Sequence, residues 1–142
     1  MTAARTVPVG AVAVAAVAVW SLRRRLTLVR VAGGSMAPTY ADGDRLLVRR
    51  TRRVRRGEAV VFRNPVAPPG GVPDPPWLVK RVAAVPGDPV PEEVRPAVRA
   101  TPGATVPPGS LAVSGDAERS QDSRHFGYVP ARDVVGVVLR RL

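Results

Sequence analysis

Two residues in this chain can supply a nucleophile and its base. Ser35 stands in Gly33-Gly34-Ser35-Met36-Ala37-Pro38-Thr39. Glycines bare the backbone on one side and a proline constrains it on the other, which leaves the hydroxyl approachable by another chain. Lys80 is the only lysine among 22 basic side chains. Arginine keeps its proton in a protein, whereas a desolvated lysine can lose it, so a lone lysine marks a place where arginine will not serve. It lies in the apolar run Trp77 to Val85, whose alternation turns one face inward. A neutral amine there could take the proton of a serine hydroxyl. The competing readings are an ordinary Gly-Gly-Ser turn ending a strand, and a lysine left over by a coding bias toward arginine.

Other chemistries find little support. The chain has no cysteine, hence no thiolate nucleophile, no disulfide framework and no cysteine-based zinc site. No metal and no other cofactor is expected. A single histidine, His125, argues against a Ser-His-Asp triad unless that one residue is the base. A net charge of +11 raises nucleic acid as a partner, and Arg49 to Arg56 is the densest cluster. That cluster falls between two apolar runs, as a hairpin loop would, and aromatic residues for base stacking are only 4% of the chain, so nucleic acid is not expected. Membrane lipid with anionic headgroups is the expected partner of the arginines, a solvated loop being the alternative.

The elements that must hold Ser35 and Lys80 are short strands. With 142 residues there is room for one domain with a small core. Residues 1–25 read as an N-terminal membrane anchor with a basic flank, built on the valine and alanine run from Val7 to Leu22. A cleaved signal peptide is the competitor, but the run ends in Trp20-Ser21-Leu22-Arg23-Arg24-Arg25 and lacks a clean cleavage site. Residues 26–142 read as a catalytic β domain. Strands are expected at Leu26–Ala32, Arg45–Arg49, Ala59–Arg63, Leu78–Val85, Ser110–Ser114 and Val134–Leu139. The Pro/Gly-rich stretch Asn64–Pro76 reads as a surface loop, and Pro89–Pro108, rich in proline and small residues, reads as a connection between strands. The expected fold is all-β, a compact antiparallel sheet or partial barrel preceded by one transmembrane helix.

Several boxes in order resemble the type I signal peptidases. They are Ser35-Met36-Ala37-Pro38-Thr39 with Gly43-Asp44, Lys80-Arg81-Val82 with Pro86-Gly87-Asp88, and Gly115-Asp116 with Asp122-Ser123-Arg124 and Phe126-Gly127. The resemblance implies a membrane-bound serine endopeptidase that removes N-terminal signal peptides from exported precursors by a Ser35/Lys80 dyad. It further implies secretory precursors with small residues before the cut, and Gly33, Gly34 and Ser35 as the nucleophile turn and oxyanion site. Asp122 and Arg124 would form a supporting ion pair, and Ser120 would bond the lysine amine. A single-pass protein of the cytoplasmic membrane follows, its catalytic domain extracytoplasmic, although Arg23, Arg24, Arg25 and Arg30 would favour the opposite orientation by charge. Two positions depart from the family: Gly115-Asp116-Ala117 replaces the usual Gly-Asp-Asn, and Gly33 stands where some members carry serine. A dedicated maturation protease for one partner, and a catalytically silent binding protein anchored in the membrane, are the alternatives.

Overall fold

The computed structural model describes residues 9–142. Helix α1 (Val9–Arg25) runs into strand β1 (Leu26–Arg30), followed by β2 (Arg45–Arg50), β3 (Ala59–Arg63) and β4 (Trp77–Ala84). A short helix α2 (Arg95–Val98), β5 (Ser110–Ser114), a helical turn α3 (Ser123–Phe126), β6 (Val129–Pro130) and β7 (Val134–Arg141) complete the chain. The strands form one antiparallel sheet in the order β1-β2-β7-β3-β4-β5-β6. The six expected strands are all present within two residues of the expected ends, because each is an apolar run closed by turn residues.

The sheet curls into a half-barrel, and the burial of β3 is the sign of it. Val60 and Phe62 pack into one cluster with Val82, Leu111, Val113 and Val137, while Ala59 and Val61 pack on the other face with Val31, Met36, Leu46, Val48 and Val79. A strand buried on both faces needs cover on each, and here the curled sheet and its loops provide it. Irregular pairings at Leu47/Val48, Val61/Phe62 and Val82/Ala84 sharpen the curl. Gly136 on β7 is required by close approach: a Cβ there would overlap the carbonyl of Arg49 on β2.

Two expectations change. The Pro89–Pro108 stretch, expected only as a connection, adds to the core: Val90, Val94 and Val106 are buried against Ala84 and Ala112 as a third small cluster. Its valines, spaced by prolines, carry no regular period that would reveal this.

The transmembrane helix is corrected outright, for among the described residues no helix is long and apolar enough to cross a membrane. The apolar part of α1, Val9 to Leu22, spans about 21 Å at about 1.5 Å per residue, against a hydrocarbon core of about 30 Å. Its last turn is Arg23-Arg24-Arg25, and the Arg24 guanidinium stacks 3.6 Å from the Trp20 ring centre. Val7 and the residues before it, counted toward the expected anchor, lie outside the described residues.

Candidate active site

The chain between β1 and β2 forms a closed loop that presents Ser35. Val31 N–H donates to the Asp44 carbonyl (2.8 Å) and Gly43 N–H returns to the Val31 carbonyl (2.9 Å), sealing the neck. Within the loop, Ala37 N–H bonds Gly34 O and Tyr40 N–H bonds Met36 O. Met36 is 1% exposed and rooted in the core, so the serine beside it is held at the surface, half-buried. Gly33 has φ +84°, a conformation that favours glycine, and its N–H is committed to Asp42 Oδ1 at 2.8 Å. Among the described residues the Ser35 N–H makes no hydrogen bond.

Lys80 comes from the middle of β4, where it shares a face with Leu78 and Val82. It is 2% exposed, and its Nζ lies in a short hydrogen bond with Ser35 Oγ. Burial pushes the amine below its ordinary pKa; Asp122 pulls it back up and Arg124 pushes it down again. The site therefore holds a hydroxyl and a poorly solvated amine in contact, which is the arrangement required for proton transfer from the first to the second.

The turn after β5 closes the site from a third direction. The Ala117 N–H donates to the Ser35 carbonyl (3.1 Å), and Thr39 Oγ1 donates to Asp116 Oδ2 (2.6 Å). Asp116 also receives Arg81 in a two-pronged ion pair, Nε to Oδ1 at 2.8 Å and Nη2 to Oδ2 at 2.6 Å, while Arg81 Nη1 holds the Gly57 carbonyl. Arg81 keeps the Asp116 carboxyl below its usual range. This staple ties the serine loop, the lysine strand and the Gly115–Ala117 turn together. Sequence reasoning placed Thr39, Arg81 and Asp116 within its boxes but assigned none of them a role.

Asp122 is fully buried and bonds the Arg124 guanidinium through both oxygens at 2.9 Å, the Gly115 N–H at 2.9 Å and the Arg124 N–H at 3.1 Å. Burial alone would raise its pKa, but these donors outweigh it and hold the carboxyl at about 2. Ser120 is also buried, close to Asp122, yet among the described residues its Oγ finds no hydrogen-bond partner, and Lys80 Nζ is not bonded to it. The hydroxyl exerts only a smaller pull on Asp122, in the same downward direction. His125 accepts the Asp122 N–H through Nδ1 at 3.3 Å, as part of the cap of α3, and does not contact Ser35.

A family model described as signal peptidase, peptidase S26, matches residues 4–95 and 91–142. The chain belongs to the signal peptidase family. It is thereby a serine protease of the signal peptidase type, acting on secretory precursor proteins. Among solved structures, a signal peptidase I from Enterococcus faecalis V583 is 24% identical, the match covering 60% of this chain and 96% of that one at a TM-score of 0.40. No curated protein matches the chain. The single-pass location in the cytoplasmic membrane, inferred from the signal peptidase resemblance, is corrected by the finding on α1: no described helix is long and apolar enough to span.

Within this signal peptidase, the altered Gly115-Asp116-Ala117 box has a structural explanation. Position 117 bonds the serine loop through its backbone N–H, so alanine serves there as well as asparagine. Gly115 is the constrained member: a Cβ would overlap both Ser120 Oγ and the Ser35 carbonyl. Gly115→Ala is expected to destabilise the fold by about 1–3 kcal/mol through overpacking, and to slow cleavage by displacing Ser35. Thermal melting and the cleavage rate measure the two effects, and an unchanged rate would show that the serine loop does not depend on this contact.

Proposed function

We propose that neutral Lys80 takes the proton of Ser35 as the serine oxygen attacks the scissile carbonyl of a precursor, and that water then hydrolyses the acyl-enzyme. The contact between Lys80 Nζ and Ser35 Oγ, with the amine shielded from water, carries this reading. In the neutral state the serine O–H donates to Nζ across the same contact. The uncommitted Ser35 N–H supports a role as oxyanion donor, and the engaged Gly33 N–H has none to offer. Asp122 and Arg124 act as structural support in this scheme.

Precursors would bind extended. β5 pairs with β4 only from Arg81 onward, so among the described residues the edge of Leu78–Lys80 facing away from β3 has no ladder partner, which supports pairing with an added strand there. Small residues before the cut are the preference carried from the family resemblance. Lipid headgroups as a second partner are supported by the arginine excess alone. The test is cleavage of a purified precursor bearing an Ala-x-Ala site by wild type and Ser35→Ala, with product masses read directly, beside the same precursor carrying bulky residues at that site. Cutting after Ala-x-Ala by wild type alone is expected. Equal cutting by Ser35→Ala would remove the dyad, and indifference to the bulky residues would remove the small-residue preference.

A further inference from the structure

A second site lies where the end of α1 meets the β2–β3 connection. A recess of about 640 Å³ is walled by Arg25, Arg49, Arg50, Arg53 and Arg55, with Thr51 and Glu58, and includes neither Ser35 nor Lys80. Strand register explains the convergence. Leu26 pairs with Arg49 at the end of the ladder, so Arg25, the last residue of α1, is brought to the end of β2 where Arg49 and Arg50 stand. Like charges gathered in one place repel, and a counter-charge there relieves the repulsion.

The protein supplies little of that counter-charge. Among the described residues none of these five arginines is in an ion pair. The one acidic wall residue, Glu58, contributes a single carboxylate, whose Oε2 accepts the Arg55 N–H at 2.8 Å. Thr51 Oγ1 accepts the Arg53 N–H (3.1 Å), which turns the hydroxyl toward service as a donor. A concave surface made of guanidinium forks and one hydroxyl donor suits oxygens bearing more than one negative charge.

We propose that this recess binds a phosphate-bearing anion, its oxygens bridged by the guanidinium groups of Arg25, Arg50 and Arg53. Five cations call for more charge than one carboxylate carries, which favours a di- or polyphosphate or clustered phosphodiesters. A free polyphosphate and the headgroup phosphates of an anionic lipid surface share this chemistry. The site is independent of the dyad.

The full chain would be titrated with inorganic pyrophosphate by calorimetry, and sedimented with phosphatidylglycerol-containing vesicles against pure phosphatidylcholine vesicles. Arg50→Gln combined with Arg53→Gln is compared with Arg99→Gln combined with Arg140→Gln, exposed arginines away from the recess whose loss removes the same charge. Saturable binding is expected, weakened roughly thirty-fold by the recess pair at about five-fold per surface charge, and changed by no more than about two-fold by the control pair. A selective loss with pyrophosphate alone identifies the free anion as the source, with vesicles alone the lipid, and with both the shared site. Equal weakening by the two pairs, or no saturable binding to either probe, overturns the proposal, since net charge would then account for everything.

Discussion

Lys80→Arg is expected to lower precursor cleavage on the order of 10⁴-fold while leaving the substrate able to bind. Arginine keeps the positive charge and much of the stem but cannot become neutral, so the proposed acceptor for the Ser35 proton is lost. The wild-type rate should rise with pH as Lys80 deprotonates. Because burial lowers its pKa, the midpoint of that rise should fall below the ordinary lysine value of 10.5. The same shift bears on stability. Between the lowered folded value and 10.5 the unfolded chain holds a proton that the fold does not, so stability rises with pH across that window. Cleavage rates from neutral to alkaline pH, with melting curves on the same samples, check both. Near-normal cleavage by a folded Lys80→Arg protein would exclude lysine as the base.

Asp122→Ala is expected to cost about 3 kcal/mol of stability, a fall of roughly 10–20 °C in melting temperature. Removing one partner of a buried ion pair can cost 3–5 kcal/mol or thereabouts. The lower end applies because the Arg124 side chain is 34% exposed and can turn to water, while the half-buried Gly115 N–H loses its acceptor. With its pKa at about 2 in the fold and an ordinary value of 3.8, the carboxylate contributes roughly 2 kcal/mol that is present above 3.8 and lost as pH falls to about 2. Asp122→Asn should therefore flatten the acid limb of the stability curve. It should also move the rise in cleavage rate to lower pH, since the Asp122 charge favours protonated Lys80. An unmoved pH profile in a folded Asp122→Asn protein would show that the carboxylate does not act on the lysine.

The strands were legible because each is a short apolar run closed by glycine, proline or arginine, and such runs need little beyond themselves to extend. Ser35 and Lys80 were legible for chemical reasons: glycines beside a hydroxyl, and one lysine in a chain of arginines. Less was readable where the partner lies far along the chain. Nothing near Asp116 announces that it will receive Arg81 and Thr39, and nothing near Ala117 announces that its N–H will hold the serine loop. The expected contact from Ser120 to the lysine amine is absent from this geometry, because an orienting bond depends on ångström-scale placement that sequence spacing does not convey.

By itself, then, the sequence determined six of the seven strands, the serine turn, the candidate base and, through its ordered boxes, the family. The tertiary structure decided which of these meet. β1 and β4 stand four places apart in the sheet, with β2, β7 and β3 between them, so Ser35 reaches Lys80 only because the sheet curls and the serine loop is stapled across it. It also decided that Lys80 is shielded from water, and hence that its proton is loosely held. Burial and long-range pairing belong to the packed whole, and no local pattern of residues encodes them.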